Sequence, residues 1–329
     1  CGKEGMIVEK IWDVTALGEL LVDFTPLESR GPNPAFEANP GGAPCNVLAM
    51  LSALGRKTAF IGKVGADYFG GMLHSALEEL GISAEGLLHD RTYNTTLAFV
   101  HNDTAGERSF SFYRKPGADS MLRSQEVPFS LIEQSRIFHF GTLSMTDEPA
   151  LEATRKALDC AKGCGALISF DPNLRPPLWE SLAIAKDRMR EGFSACDVLK
   201  IAGEELNFIT GIGDQNRAAL FLMDHYQIPL VFVTSGREGS AAYYPGGILR
   251  QETFLDVPTV DTTGAGDIFF GCMLDTILRL GPEGFSPQEM QEALRFASAA
   301  AAIVTTRPGA MRSVPRREEV DAFLNGHPL

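Results

Sequence analysis

Near its C-terminal end the chain reads VDTTGAGDIFFGCMLDTIL, residues 260–278. Gly264 and Gly266 flank Ala265 where a polar loop becomes an apolar run, and Asp267 stands at the change. A loop with so little side-chain bulk, entering a helix, offers free N–H groups and the positive end of the helix dipole. Glycines let another group come close to that backbone. Together these make an anion hole. A carboxylate placed beside a bound anion calls for a chemical reason, and accepting a proton from an attacking hydroxyl is one, worth about 10²–10⁴-fold in rate. The same residues also read as a helix start: Thr263 followed by acidic residues in the next turn is good N-capping, worth about 1 kcal/mol. Residue chemistry alone leaves both readings open. The run after Asp267 is apolar on nearly every face, so it is expected to be a buried helix whose N-terminus points at a cleft.

Other ways of holding phosphate fail on spacing. There is no GxxxxGKS or GxxxxGKT, and Phe269 stands where GxGxxG would need its last glycine. No glycine-rich strand-to-helix turn near the N-terminus suggests a dinucleotide dehydrogenase, and neither HExxH nor GxSxG occurs. The six histidines are dispersed and read as ordinary surface or core residues. The cysteines stand at 1, 45, 160, 164, 196 and 272, and the CxxxC pair Cys160–Cys164 has neither zinc nor redox spacing. They read as reduced thiols of a cytoplasmic protein. The formal net charge of -13 argues against nucleic acid as a partner, which needs a positive field. It leaves room for a phosphate held locally by backbone N–H groups and a cation. No run of about eighteen apolar residues predicts a membrane span, and the start, CGKEGMIVEKIW, lacks the apolar region of a signal peptide. Residues 1–5, ahead of Met6, read as a vector-derived leader.

The elements that must position Asp267 alternate. WDVTALG, KTAFIGKVG, SRIFHFG, ALISFD, DVLKIA and PLVFVTSG read as strands, and APCNVLAMLSAL, DYFGGMLHSALEELG, EPALEATRKALDCAKGCG and GEELNFITG as helices. Such repetition predicts an α/β fold with a mostly parallel sheet between helical layers. Ligands bind beyond the carboxyl ends of such strands, where GEL, DPN and TSG fall. Residues 20–40 and 92–118 break the pattern. In GERSFSFYRK, Arg108, Phe110 and Phe112 alternate with Ser109, Ser111 and Tyr113. These segments are expected to form a small inserted β-sheet that could serve as a lid over the strand-end cleft.

DTTGAGD resembles the C-terminal signature of the ribokinase-like (PfkB) carbohydrate kinases. NPGGAPCNVLAMLSALG with IGKVGADYFG resembles that family's other signature, in the expected order and more than two hundred residues away. VTSGREG and TTRPGAMRSVP match further family positions, so the resemblance runs through almost the whole chain. GELLVDF, GGAPCN, FYRKPGAD and DPNLRPPLW are most similar to the fructokinase branch and to the neighbouring 2-keto-3-deoxygluconate kinases. The resemblance implies a three-layer kinase domain over residues 6–329. It also implies transfer of the γ-phosphoryl of MgATP to a sugar hydroxyl, fructose first among sugars.

Residue by residue, the resemblance makes Asp267 the base and Gly264, Ala265 and Gly266 the anion hole. Asp23, Gly42 and Asn46 would grip sugar hydroxyls, and Gly41 with Gly42 would form the lid hinge. Phe112 and Arg114 would reach the sugar from the lid, and Arg175 would add a cation near substrate or transferring phosphoryl. Lys200, Thr234, Gly236, Gly239 and Ser298 would lie along the nucleotide. Glu205 would order Mg²⁺ through water, with Glu204 a rival, since Ala202 replaces the asparagine usual before this motif. Asp261, Thr263, Gly309 and Ser313 match a monovalent-cation (K⁺) site behind the anion hole. Relatives also imply a homodimer through the lid. A kinase for another sugar or a nucleoside, or a non-catalytic sugar- or nucleotide-sensing relative, are the alternatives. The presence of Asp267 with both glycines weighs against the last.

Overall fold

The structure is a computed structural model and describes residues 9–27, 33–102 and 108–327, with side chains 101–110 outside that set. Residues 1–5 and the tips of both suspected lid segments therefore lie outside the described residues. From the N-terminus, β1 (Trp12–Leu17) leads to β2 (Leu21–Leu27), β3 (Ala35–Gly41) and α1 (Ala43–Ala53). Then come β4 (Thr58–Gly65), α2 (Tyr68–Glu79), β5 (Ile82–Asp90), β6 (Leu97–Asn102) and β7 (Arg108–Tyr113). The chain continues through α3 (Phe129–Glu133), β8 (Ser135–Gly141), α4 (Ala150–Gly163), β9 (Leu167–Asp171), α5 (Leu182–Phe193) and β10 (Val198–Ala202). It ends with α6 (Gly203–Thr210), α7 (Gln215–Tyr226), β11 (Leu230–Thr234), β12 (Ser240–Tyr244), β13 (Gly247–Gln251), α8 (Ala265–Leu280), α9 (Pro287–Val304) and α10 (Arg317–Asn325).

Nine strands form one sheet in the order β13-β12-β11-β10-β9-β8-β1-β4-β5. All neighbours from β11 to β5 are parallel, and the β12–β13 hairpin adds an antiparallel edge. Parallel strands covered on both faces read as unbroken apolar runs, and every residue of β4 is buried. One helical layer holds α1, α8 and α9, whose side chains share a core with Val14, Phe60 and Phe232. The opposite core runs through Phe138, Phe140, Phe170 and Phe193 to α4, α5 and α7. Phe140 and Phe170 stack across β8 and β9 at 4.5 Å between ring centres. The chain moves outward from β1 through β4 to β5, then returns to β8 on the other side of β1. That reversal is the topological switch point, where α/β sheets hold their ligands.

Residues 20–40 and 92–118 do build a separate small sheet, in the order β3-β2-β6-β7. β2 pairs antiparallel with β3 and parallel with β6, and β6 pairs antiparallel with β7. One face carries Asp23 and Phe112 toward the large sheet. The other carries Phe24 stacked on Phe99 at 4.6 Å, with Phe36 and Tyr113 edge-on to Phe99.

Candidate active site

Helix α8 is the centre of the site. It starts at Ala265, with Gly264 as the N-cap residue at φ 79 and no side chain capping it. Gly264 is confined there twice over: φ is left-handed, and a Cβ would meet that of Ala310 at 2.4 Å. Thr263 is therefore not the cap, and its N–H is accepted by Asp261 Oδ1 at 2.8 Å. Asp267 keeps the dipole-favourable place of an acidic residue in the first turn, while its carboxylate accepts from two side-chain amides. Asn46 Nδ2 donates to Asp267 Oδ2 at 2.7 Å and Asn173 Nδ2 to Oδ1 at 3.1 Å. As expected, the helix behind it is buried continuously from Asp267 to Leu278.

One cavity gathers Glu19, Asp23, Gly42, Asn46, Phe112, Asn173, Arg175, Gly264 and Asp267. Its walls come from the end of β1, the underside of β2 and β7, the start of α1, the turn after β9 and the start of α8. The carboxyl pKa of Asp267 is pushed up to about 6, first by burial and then by the Asp171 charge, against Lys200, Asn46 and Arg175. Burial also pushes Glu19 and Asp23 up to about 7 each, with Arg175 pulling Asp23 back. Glu19 accepts from Ala43 N–H at 2.9 Å. Asn46 Oδ1 is buried and has no hydrogen-bond partner among the described residues, so it is ready to accept from a hydroxyl.

Beneath residues 264–266 lies a charged cluster. Lys200 Nζ pairs with Asp171 Oδ2 at 3.0 Å, both buried, and a Cβ on Gly266 would come within 2.8 Å of Nζ. The Asp171 charge and those of Glu205 and Asp267 hold the Lys200 ammonium above its usual range against the cost of burial. Glu205 accepts from Leu174 N–H at 2.6 Å and Ala202 N–H at 2.9 Å, joining the turn after β9 to the start of α6. Removal from water and the nearby Asp171 raise its pKa, with Lys200 opposing. Asp171 Oδ1 is buried without a partner among the described residues. Glu204 lines the cleft beside α6 together with Lys200, Thr234, Gly236 and Gly266.

The other side of Gly266 opens on a cavity of about 350 Å³. Thr234, Gly236, Gly239 and Ser298 line it, with Phe254, Leu255, Phe269 and Ala301 as apolar walls. Behind the loop at 264–266, Asp261 accepts from Thr263 N–H and, at 3.2 Å, from Gly309 N–H. Ser313 Oγ donates to Pro308 O beside them.

Two expected residues sit differently. Arg114 does not line the cavity with Asp267. Its fork donates to Asp119 Oδ2 at 2.7 Å, Thr146 Oγ1 at 2.8 Å and Leu143 O at 2.8 Å, so it braces the root of the small sheet. Gly41 does not line the cavity itself and lies beside Asp23, whose Oδ2 would have to shift to admit a Cβ there. Glu19, Asp171 and Asn173 were not foreseen as site residues. Their signal was the placement of GEL and DPN at strand ends, which marks a segment and does not say which side chain turns inward.

The class defined by this fold and site is a carbohydrate kinase, and the chain belongs to the pfkB family of carbohydrate kinases, whose family model matches residues 13–317. It is 40% identical to Fructokinase-2 of Solanum lycopersicum over 95% of this chain and 96% of that protein. It is also similar to the crystal structure of fructokinase with bound ATP from Xylella fastidiosa, at 33% identity and TM-score 0.87, covering 95% of this chain and 98% of that one. The Vibrio cholerae fructokinase double mutant solved with fructose, ADP and a potassium ion matches at 30% identity and TM-score 0.84, over 96% and 99% of the two chains.

Proposed function

We propose that this chain transfers the γ-phosphoryl of MgATP to a hydroxyl of fructose. The observation that carries the reading is the position of α8. Its first turn divides a cavity rich in carboxylates and amides from a long cleft with apolar walls, and Asp267 stands on the first side. A sugar in the first cavity and ATP in the second would meet across residues 264–266. Asp267 takes the proton of the attacking hydroxyl. Asp23 and Glu19 accept sugar hydroxyls, as does Asn46 Oδ1. The backbone at Gly264, Ala265 and Gly266 receives the charge of the transferring phosphoryl, with Arg175 as the cation at the cavity edge. Phe112 covers the sugar from the small sheet, which acts as the lid and excludes water, with Gly41 and Gly42 as its hinge.

Thr234, Gly236, Gly239 and Ser298 border the ATP, and Lys200 holds the floor beneath its phosphates. Mg²⁺, when bound, neutralises the phosphate charge. Glu205 would hold it through water, and the unpartnered Asp171 Oδ1 could take part in the same way. The Asp261 carboxylate between the loops of Thr263, Gly309 and Ser313 suits K⁺, whose charge would strengthen the anion hole.

Fructose is favoured over a keto-deoxy acid by charge. Glu19, Asp23 and Asp267 face the cavity against Arg175, so a neutral polyol fits better than a carboxylate. The aromatic face of the small sheet, where Tyr113 is 67% exposed, is the proposed homodimer interface. A panel of sugars assayed for ADP release tests the acceptor. No membrane partner is proposed, and no helix among the described residues is long and apolar enough to cross a membrane.

A further inference from the structure

Asn173 stands in a left-handed backbone conformation, φ 44, in the turn that follows β9. Its amide touches two functional groups at once. Nδ2 donates to Asp267 Oδ1 at 3.1 Å, and Oδ1 accepts from Arg175 Nη1 at 2.5 Å. The same Arg175 nitrogen reaches the backbone carbonyls of Asn173 and Leu174 at 3.3 Å each. A guanidinium can only donate. The Asn173 oxygen must therefore face Arg175, which forces the NH₂ group toward Asp267 and removes the ambiguity of an amide flip. Asn46 holds the other carboxylate oxygen.

We propose that Asn173 is a positioning residue for the base, and that Arg175, besides its direct charge, acts on Asp267 by fixing the Asn173 amide. This rests on the reading of Asp267 as base. The two amides fix the plane of the carboxylate, so its remaining lone pairs point to where the sugar hydroxyl must lie. Each donated hydrogen bond also favours the ionised form, which is the form that accepts the proton. This arrangement also explains the strained asparagine. The left-handed turn brings a short amide back over the start of α8, and asparagine is among the few side chains that tolerate it.

The test compares pH profiles of kcat/KM for Asn173→Gly, Arg175→Gln and the double variant with the unsubstituted protein. Glycine accepts φ 44, so the turn is kept while the amide is lost. Asn173→Gly should raise the midpoint of the acid limb by about one pH unit and lower kcat about tenfold, as expected for a lost hydrogen bond to a charged group. In the double variant the two shifts should be clearly less than additive. An unshifted limb in Asn173→Gly, or shifts that add fully, would overturn the proposal. Asn173→Asp is a second variant, expected to move the limb further upward by placing a like charge beside the base, and an unmoved limb there would also count against it. An Asp267→Asn variant run alongside separates the two claims. If it is inactive while Asn173→Gly keeps the original limb, only the positioning role fails; if it turns over normally, the base assignment fails.

Discussion

Burial and neighbouring charges suit Asp267 to the proposed role of base. Burial and the Asp171 charge lift its pKa to about 6, and Lys200, Asn46 and Arg175 keep it from rising further. A base in this range is ionised at neutral pH and is still able to hold a proton during transfer. kcat/KM should therefore fall as the pH drops through about 6, and a pH–rate profile of the sugar reaction checks it. Asp267→Asn should lower kcat by about 10² or more while ATP binding, measured by calorimetry, is largely retained. How much of the site was legible at this scale differed by residue. Asp267 and the two glycines could be read because a glycine-rich helix start is a local feature of the chain. The surroundings of Arg114 were not legible because its partners Asp119, Leu143 and Thr146 come together only in three dimensions. Asn173 was missed because its importance comes from a backbone φ and a distant partner, neither of which its neighbours in sequence reveal.

At the scale of elements, the site depends on how α8 is seated. Gly264 begins it in a left-handed turn against Ala310, and Gly266 rests over Lys200. Gly264→Ala should destabilise the fold by about 1–3 kcal/mol and reduce turnover more than ATP binding. Urea unfolding and steady-state kinetics on the same preparation measure the two effects. The strands and helices were readable because buried parallel strands are continuous apolar runs and the helices carry apolar residues at helical spacing. The small sheet was readable in part. Alternation in SFSFY predicts a strand but does not say which face turns to the cavity; Phe112 lines it, and Tyr113 lies against Phe99.

At the scale of the whole molecule, the cavity should make stability depend on pH. Glu19, Asp23 and Asp267 have folded pKa values of about 7, 7 and 6, above the ordinary carboxylate range. The folded state then holds protons that the unfolded chain has released. The stability linked to these groups is fully present below pH 4 and is lost as pH rises through 6 to 8. The ligand-free protein should accordingly show a lower urea midpoint at pH 8 than at pH 6, and Asp23→Asn should flatten that difference. The outward aromatic face of the small sheet predicts a dimer, and Tyr113→Glu should shift sedimentation toward the monomer without changing the chemistry at Asp267.

The central claim is the identity of the acceptor, and the most direct test is a panel of neutral sugars and a keto-deoxy acid assayed for ADP release at pH 7.5. Fructose should give the highest kcat/KM. A keto-deoxy acid or another sugar exceeding it tenfold would contradict the account.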